Sequence, residues 1–593
     1  MHYKKNISLF FILIIFLLVQ SCVSSNNFLK LNILHINDTH SHLEAASAGV
    51  NMTFDGISVK AFPGGFARLK SAIDEFKRQN ENLLFLHAGD AVQGTIYFTK
   101  FQGDADIDFL NYIGIDVMTF GNHEFDKGPL VPKKLVEQAL FDIVSANIDF
   151  SKEPSINKRV KPYVIKYFGK EAVAIIGVTT DETNEISMPG PTIKINNVID
   201  SLKKTVSEVE QKGINKIILI SHIGYEEDKR LAGEIKGIDI IIGGHSHTLL
   251  GGEEFKNHAL NPEGDYPTVI KDKDGVITLV VQAWKWGQAL AKLMVEFDER
   301  GNIKDFNAQQ VIVLSDRFVQ NRQDIPTDSE TYKKIINSIN NSKGLRIFPE
   351  DNATLQKLAP YKAQIDDFRK QILATAEDDL IVGLNSGAGP LVIDSFVQKV
   401  NAELGFINRG AIRMDLSVGN ITLGDVYELM PFGNTICLAN LRGSEIKQAL
   451  EDGIDFQIVN NPQNPYYPYV SGMVYTVRPS AKKGNRVTSL LRTNNDGTIK
   501  PLDMDSTYKF VSIDFIAKKG GDGFTFFTTY SGNLIDTGLI DAEIFADYLS
   551  VQKTIRNPTE ERIKIDTSSS LEISKLYIIS LSKYQHPKGL FRG

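Results

Sequence analysis

Short apolar runs, each followed by a polar tip, recur along the first half of the chain. They lie at 31–36, 83–86, 217–220 and 238–242, and they are too short for helices and rich in aliphatic residues. This pattern predicts buried strands of a sheet that is covered by helices. Side chains that follow such strands converge on one edge of the sheet, where α/β proteins usually place their binding sites.

The polar tips consist of residues that bind divalent metals or handle phosphate. They occur in five segments, in the order Asp38-Thr39-His40, Gly89-Asp90, Gly121-Asn122-His123-Glu124, Ser221-His222 and Gly243-Gly244-His245-Ser246-His247. Two divalent cations a few ångströms apart need a carboxylate between them, with imidazole and oxygen ligands on their outer sides. A single histidine after a strand is more often a core or turn residue. Five such segments in one chain predict a two-metal phosphoesterase site.

These segments resemble the calcineurin-like metallophosphoesterase domain of the 5'-nucleotidases, a family that includes bacterial UDP-sugar hydrolases and animal ecto-5'-nucleotidase. The resemblance is carried by the motifs IxHxNDTHSH (33–42), HAGDxxQGT (87–95), FGNHEFD (120–126), SHIGY (221–225) and GGHSHT (243–248). It extends from about residue 31 to about residue 563. It implies an α/β fold, in which a four-layer αββα metallophosphoesterase sandwich is followed by a smaller α+β C-terminal substrate-binding domain.

The resemblance also implies how the ligands are shared between two metal ions. One ion takes Asp38, His40 and His247, the other takes Asn122, His222 and His245, and Asp90 bridges the two. Many relatives have Gln in place of His247, but imidazole suits the same metals. Ligands of these types accept zinc, manganese or cobalt, so the sequence predicts two divalent ions without naming the metal.

Two residues of the FGNHEFD motif are expected to serve catalysis, one directly and one by orienting the other. The resemblance implies that His123 stabilises the transition state or protonates the leaving oxygen, and that Asp126 orients the His123 ring. His42 and His87 also lie close to the motifs. For both of them a structural role in a strand or turn is the favoured interpretation.

The second half of the chain resembles the substrate-binding domain of the same family in the motifs NRGAIR (408–413), PFGN (431–434) and GGDGF (520–524). The resemblance implies that Asn408 and Arg413 hold polar groups of a nucleotide, that Phe432 stacks on the base and that Asp522 binds the ribose. A planar guanidinium suits phosphate and an aromatic face suits a base. Taken alone, each of these residues would more often be structural.

This sequence departs from the family pattern at two places. The segment 383–391 contains no Arg, whereas many relatives have a second phosphate-binding guanidinium there. Ile516 stands six residues before Asp522, where relatives place a second stacking aromatic. The neighbouring Phe515 would point elsewhere if the segment is extended. We therefore expect a base site with one aromatic face and weak discrimination among nucleotides.

A length of 593 residues predicts at least two domains. The expected limits are 28–352 for the catalytic domain, 377–566 for the substrate-binding domain and 567–593 for a tail of unknown role. Between the two domains, an amphipathic linker helix is predicted over 353–376 by the spacing of Leu355, Leu358, Ile365, Phe368, Ile372 and Leu373.

The N-terminus has the order of a secretory signal. Lys4 and Lys5 precede an apolar run over 9–19, which is too short to span a bilayer comfortably, and Cys22 follows. Residues 1–22 resemble a bacterial lipoprotein signal in which Cys22 becomes the lipidated first residue, and an ordinary signal that is cut nearby is the alternative. The expectation is an exported protein, periplasmic or at the cell surface, anchored to a bacterial membrane. Cys437 would then have no disulfide partner.

The charge of the chain narrows the class of substrate. A net charge of −7 leaves no basic excess to bind a nucleic-acid polymer, whereas a metal centre supplies its own positive charge for a mononucleotide. The expected function is an exported two-metal phosphohydrolase that releases phosphate from extracellular nucleotides, with UDP-sugars as further candidates. A 2',3'-cyclic-nucleotide phosphodiesterase is the alternative. A non-catalytic binding lipoprotein is less favoured because the metal-ligand residues are all present. The sequence leaves the oligomeric state open.

Overall fold

The computed structural model describes residues 29–567, apart from 46–48, 273, 322, 463–464 and 495–496. The expected signal sequence with Cys22, and the tail beyond residue 567, lie outside the described residues. The chain divides into two compact units, and the division falls inside one helix, between Tyr361 and Lys362.

The first unit contains two larger sheets and the helices that cover them. Its strands are β1 Leu29–Ile36, β2 Val50–Phe54, β3 Ile57–Pro63, β4 Leu83–His87, β5 Val117–Thr119, β6 Asp142–Val144, β7 Ile148–Asp149, β8 Tyr163–Phe168, β9 Glu171–Thr179, β10 Lys194–Ile195, β11 Ile217–His222, β12 Ile240–Gly243, β13 Thr268–Lys271, β14 Ile277–Gln282, β15 Ala289–Phe297, β16 Ile303–Gln320, β17 Gln323–Asp324 and β18 Leu345–Ile347. Its helices are α1 Phe66–Gln79, α2 Ile96–Phe101, α3 Asp104–Ile113, α4 Leu130–Gln138, α5 Pro154–Arg159, α6 Thr183–Ile186, α7 Val198–Gln211, α8 Tyr225–Glu234, α9 Glu253–Lys256, α10 Glu330–Asn340 and α11 Asn352–Phe368, the last of which crosses the division.

The strand order of the first sheet is β2-β3-β16-β15-β1-β4-β5-β6, with β17 and β18 also paired to β16. The order of the second sheet is β13-β14-β12-β11-β9-β8. Strands β1, β4, β5 and β6 run parallel to one another, and so do β9, β11, β12 and β14. Parallel strands point their carboxyl ends to the same edge, so the loops that follow them lie together.

The two sheets pack face to face through alternate residues of their strands. Ile33 of β1 and Leu86 of β4 share one buried cluster with Ile220 of β11 and Ile242 of β12. The residues between them face the other way, and Leu219 of β11 packs with α7 and α8. Helix α1 covers the first sheet at β15 and β16. Because both faces of each sheet are covered, the central strands are continuous apolar runs. The predicted αββα sandwich is confirmed.

The second unit is a smaller α+β domain. Its strands are β19 Ile372–Ala376, β20 Leu404–Ile407, β21 Gly419–Thr422, β22 Thr435–Arg442, β23 Tyr469–Ser471, β24 Met473–Val477, β25 Val487–Thr493, β26 Ile499–Pro501, β27 Thr507–Ile513, β28 Leu534–Ile540, β29 Thr554–Ile555 and β30 Ile563–Ile565. Its helices are α12 Ala388–Lys399, α13 Leu423–Leu429, α14 Gly443–Asn460, α15 Asp514–Ala517 and α16 Asp541–Gln552. The sheet orders are β21-β19-β29, β23-β20-β27-β22-β28 and β26-β25-β24-β30.

The helix predicted over 353–376 is too long. Helix α11 ends at Phe368, a turn follows in which Lys370 N–H donates to the Asp367 carbonyl, and residues 372–376 form strand β19. Strand β19 pairs with β21 and β29, and Ile372, which the helical pattern placed on the apolar face, is 55% exposed. Pairing with two distant strands therefore overrides the local helical spacing.

The helices and the cysteine of the described residues relate to the predictions of a membrane anchor and of an unpaired Cys437. Among the described residues, no helix combines the length and the apolar character that crossing a membrane requires. Cys437 is buried and forms no disulfide.

Candidate active site

The predicted metal ligands follow the carboxyl ends of strands from both large sheets. Asp38 and His40 follow β1, Asp90 follows β4, and Asn122 follows β5. His222 is the last residue of β11, and the pair His245 and His247 follows β12. The fold therefore brings all five sequence segments to one edge of the sandwich.

The first group of candidate ligands consists of Asp38, His40 and His247. His40 Nε2 lies 3.0 Å from His247 Nε2 and 3.8 Å from Asp38 Oδ1, and His247 Nε2 lies 3.5 Å from the same oxygen. Two ligands that are each about 2.1 Å from one ion at the tetrahedral angle are about 3.4 Å apart. The three atoms are spaced to surround one divalent cation.

The second group consists of Asp90, His222 and His245, whose ligand atoms lie within 4.8 Å of one another. His222 Nε2 lies 2.9 Å from Asp90 Oδ2. The Asn122 side-chain oxygen is buried and has no hydrogen-bond partner among the described residues. A buried amide oxygen without a donor is destabilising unless something else binds it, so its presence here fits a cation ligand.

Asp90 lies between the two groups. Its Oδ2 is 2.9 Å from His222 Nε2 and 3.8 Å from His40 Nε2, while its Oδ1 accepts a hydrogen bond from His123 N–H at 2.9 Å. One oxygen therefore faces histidines from both ligand groups. This is the position that a shared carboxylate between two cations requires.

Two of the four candidate ligand histidines, His222 and His40, are held through their other ring nitrogen. His222 Nδ1–H donates to the Ala88 carbonyl at 2.7 Å, and His40 Nδ1–H donates to the Val92 carbonyl at 3.2 Å. A neutral ring that is held in this way presents its Nε2 lone pair to a metal. Burial lowers the pKa of His40, which keeps this ring neutral.

The loops that carry the ligands are strained and tightly packed. Asp38, His40 and Asp90 all have a positive φ, a conformation that costs a non-glycine residue about 1–2 kcal/mol. A Cβ added to Gly121 would lie 2.1 Å from Asp90 Oδ1, so only glycine fits beside that carboxylate. Strain of this kind clusters at functional sites because the surrounding structure maintains it.

His123 lies beside the ligand groups and is oriented by a short relay. Its ring centre is 5.3 Å from that of His40, its Nδ1–H donates to Asp126 Oδ2 at 2.7 Å, and the Ser187 hydroxyl donates to Asp126 Oδ1 at 2.8 Å. Burial lowers the pKa of His123, but the carboxylates of Asp126 and Asp90 outweigh it and raise this pKa to about 10. The ring is therefore arranged to carry a proton.

The interpretation of His87 and His42 as structural agrees with their contacts. His87 is buried, its Nδ1 accepts from Gly89 N–H, and its Nε2–H donates to the Thr39 hydroxyl. His42 Nδ1–H donates to the His40 carbonyl, and the ring stacks on Trp286 with the centres 4.3 Å apart.

Sequence reasoning missed Glu124, which lies behind the ligand loops. Its side chain is fully buried and accepts hydrogen bonds from the backbone N–H groups of Asp90, Ala91 and Gly121. Burial and the nearby Asp90 carboxylate raise the pKa of Glu124 to about 7. The sequence signal that could have identified it is a carboxylate directly after His123, between Phe120 and Phe125 of the same motif.

The predicted substrate-binding residues of the second unit meet around one loop. Asn408 follows β20 and donates to Asp522 Oδ2 at 2.7 Å, and the Arg413 guanidinium lies 5.5 Å from the centre of the Phe432 ring. Gly410 connects the two pairs, because Arg413 donates to its carbonyl and a Cβ on it would lie 3.5 Å from Asp522 Oδ2. The Asn408 side-chain oxygen is buried without a partner among the described residues.

The expectation about Ile516 as a ligand-facing position is wrong. Residues 514–517 form the helical turn α15 rather than an extended segment, and Ile516 is fully buried. Phe515 is half-buried, and its ring lies against Gly521, next to Asp522. In a helical turn, neighbouring side chains point about 100° apart, so Phe515 is the residue that is free to face a ligand.

Comparison with known proteins agrees with this architecture. The calcineurin-like phosphoesterase family matches residues 31–249, and the 5'-nucleotidase C-terminal domain family matches residues 374–529. The chain is 30% identical to the probable 5'-nucleotidase of Treponema pallidum and 32% identical to the human 5'-nucleotidase. These alignments cover 90% and 91% of the chain and 94% and 92% of the relatives.

A solved structure is similar over nearly its whole length. The NAD nucleotidase of Haemophilus influenzae superposes with a TM-score of 0.78 at 28% identity, covering 91% of this chain and 99% of that one. Its similarity extends across both units. The chain therefore belongs to the 5'-nucleotidase family and is a metal-dependent phosphoester hydrolase.

Proposed function

We propose that this protein is a 5'-nucleotidase that releases phosphate from nucleoside 5'-monophosphates outside the cytoplasm. The observation that carries the proposal is the paired ligand arrangement, with Asp90 facing histidines of both groups and His123 beside them. A binding protein without turnover would have no need for an oriented acid next to two cation sites. The relatives that are named 5'-nucleotidases support this substrate class.

The chemistry follows from the positions of the side chains. Two divalent cations, when bound, would activate water and offset the charge that develops on the phosphoryl group. Asp38, His40 and His247 would hold one, Asn122, His222 and His245 would hold the other, and Asp90 would be shared. His123, with Nδ1–H on Asp126, presents Nε2 as the group that donates a proton to the leaving oxygen. Ser187 keeps Asp126 in place.

A panel of substrates tests the proposal. Product formation from AMP, NAD, UDP-glucose, 2',3'-cyclic AMP and p-nitrophenyl phosphate should be followed by chromatography, together with phosphate release, with added zinc, manganese or cobalt. Chromatography is needed because hydrolysis of a cyclic phosphodiester or a pyrophosphate gives monoesters and no free phosphate. NAD is included because the structurally similar Haemophilus influenzae protein is named an NAD nucleotidase. We expect AMP to be the best substrate. Faster turnover of 2',3'-cyclic AMP would favour the phosphodiesterase alternative, and metal binding with no turnover of any compound would favour a binding protein.

The base of the nucleotide is proposed to stack between Phe432 and Phe515. Stacking on one ring is worth about 1–3 kcal/mol per base, so Phe432→Ala or Phe515→Ala should raise KM for AMP by about 5- to 150-fold. Neither change should alter hydrolysis of p-nitrophenyl phosphate, which has no base. Ile516→Val, at the buried neighbour, is the matched control and should leave both substrates unaffected. Equal loss with both substrates would show that these rings only stabilise the domain.

A second guanidinium, that of Arg409, lies next to the segment that contains no Arg. Arg409 Nη2–H donates to the Val382 carbonyl at 3.2 Å, and the guanidinium lies 4.4 Å from the centre of the Tyr466 ring. Its buried Nε–H has no partner among the described residues. Arg409 and Arg413 both contact rings and carbonyl oxygens, and a guanidinium in such surroundings keeps its charge available for an anion. We propose that both bind phosphoryl oxygens of the nucleotide.

Arg409→Ala should therefore raise KM for AMP by about 10-fold or more, because a hydrogen bond to a charged group is worth about 1.5–3 kcal/mol. Arg409→Lys should recover part of the loss. The matched control is Arg492→Ala, since Arg492 also lies over a tyrosine, Tyr508, but is paired with Glu403. Steady-state kinetics with AMP would measure the effect. An unchanged KM would leave Arg409 with a purely structural role.

The proposed location rests on the N-terminal sequence, with Cys22 as the lipidated residue. Cys22→Ser should move the protein from the detergent phase to the aqueous phase on Triton X-114 partitioning, because Cys22 would be the only attachment point for the lipid. Cys437→Ser is the control and should not change the partitioning. Mass spectrometry of the mature N-terminus should find a diacylglyceryl group on Cys22. A free N-terminus at another residue would instead indicate simple secretion.

A further inference from the structure

Glu124 joins the two loops that carry Asp90 and Asn122. Its Oε2 accepts from Gly121 N–H at 2.6 Å and from Asp90 N–H at 3.1 Å, and its Oε1 accepts from Ala91 N–H at 2.8 Å. The loops follow different strands, β4 and β5, so this side chain links two separate parts of the chain. Hydrogen bonds to a buried carboxylate are about twice as strong as those between neutral groups.

The Glu124 carboxylate is not placed to act as a general base or as a metal ligand. Both of its oxygens already accept backbone hydrogen bonds, and the residue is fully buried. It belongs to neither candidate ligand group. Three backbone N–H groups take three of the about four lone-pair sites of this carboxylate. Its burial and these hydrogen bonds direct it to the backbone of the loops rather than to a substrate or an ion. The contacts of Glu124 therefore favour a role in positioning the loops that carry Asp90 and Asn122.

The position of the Asp90 carboxylate has little tolerance. Asp90 has a φ of 55°, in the left-handed region, and its Oδ1 lies so close to Gly121 that a Cβ on that residue would clash with it. Asp90 Oδ1 also accepts from His123 N–H at 2.9 Å. Small displacements between the loops would therefore change the distances from Asp90 to Asn122 and His123.

We propose that Glu124 is the positioning residue that holds the shared carboxylate in the geometry both cations require. The inference rests on the proposed function only in taking Asp90 as the shared ligand. It assigns to Glu124 an effect on metal affinity, with no contact to the substrate. Loss of a partner that orients a metal ligand typically lowers metal affinity or activity by about 10- to 100-fold.

Glu124→Gln tests the proposal, because the amide keeps the shape but turns one acceptor into a donor that faces backbone N–H groups. We expect the dissociation constant for manganese, measured by calorimetry on the chelator-stripped protein, to rise by about 10- to 100-fold. Excess manganese should restore most of kcat, and KM for AMP should not change. Amide hydrogen exchange in the stripped protein should become faster at residues 89–91 and 121–123.

The matched control is Asp239→Asn. Asp239 is a half-buried acid that also accepts from a backbone N–H, that of Ile217 at the start of β11, so it lies at the opposite end of that strand from His222. Its replacement should leave manganese affinity unchanged. Glu124→Asp serves if the Gln variant does not fold, since a shorter acid cannot reach all three amides, and its affinity should fall by a smaller factor.

Unchanged manganese affinity and unchanged exchange in a Glu124 variant would overturn the proposal. So would full manganese affinity combined with a kcat that excess metal cannot restore, because Glu124 would then act in the chemistry itself. The wild-type protein is measured in the same assays. If it binds manganese but does not hydrolyse AMP, the proposed function fails while the affinity and exchange measurements still decide the role of Glu124.

Discussion

Asp90→Asn should eliminate measurable hydrolysis of AMP and lower the metal content of the purified protein. The amide keeps the size of the side chain and can still accept from His123 N–H, but it is neutral and offers one oxygen instead of two. Two cations a few ångströms apart repel each other, and a shared carboxylate reduces that repulsion. Because Asp90 Oδ2 faces histidines of both ligand groups, its replacement should affect both ions.

The loss should exceed the 10- to 100-fold effect that is typical of residues that only orient a ligand. Metal content by mass spectrometry and phosphate release from AMP are the two measurements. Asp116→Asn is the matched control. Asp116 accepts from Phe85 N–H and directly precedes β5, so it lies at the edge of the sheet opposite to Asp90, which follows β4. Full activity with two bound metals in the Asp90 variant would show that the site assignment is wrong.

The sheet architecture could be predicted because its signal is local. Runs such as β11 and β12 are buried on both faces, so the sequence itself shows an apolar strand and the polar residue that ends it. Strand β16 could not be identified in this way. Over its 18 residues it includes polar positions such as Asn307 and Gln309, which are ordered by pairing with β15 rather than by their own hydrophobicity.

The candidate site was predictable to the extent that its ligands stand at strand ends. The structure brings the seven predicted ligand residues to one edge, although their binding of metal stays a prediction. Glu124 could not be assigned, because its role depends on three backbone N–H groups from two separate loops. Phe515 was misjudged for a similar reason. Whether residues 514–517 are extended or helical decides which side chain faces out, and four residues carry too weak a signal to tell.

His123→Ala should lower kcat for AMP by about 10²–10⁴-fold while metal content is retained. The ring does not belong to either ligand group, and the Asp90 contact that His123 makes comes from its backbone N–H, which alanine keeps. His258→Ala is the matched control, because His258 is also buried in the first unit but hydrogen-bonds to the Thr53 carbonyl away from the site. It should leave kcat unchanged.

The choice of leaving group separates the two roles that His123 could have. If His123 protonates the leaving oxygen, its removal should harm AMP far more than p-nitrophenyl phosphate, because nitrophenolate departs without a proton whereas the ribose oxygen needs one. Asp126→Asn should also harm AMP hydrolysis more than p-nitrophenyl phosphate hydrolysis, but by a smaller factor. The His123 ring would lose the carboxylate that orients it and favours its protonated form. An equal loss with both substrates would instead mean that His123 stabilises charge on the phosphoryl group in the transition state. A loss of metal in the alanine variant would contradict both roles and make His123 a part of the metal centre.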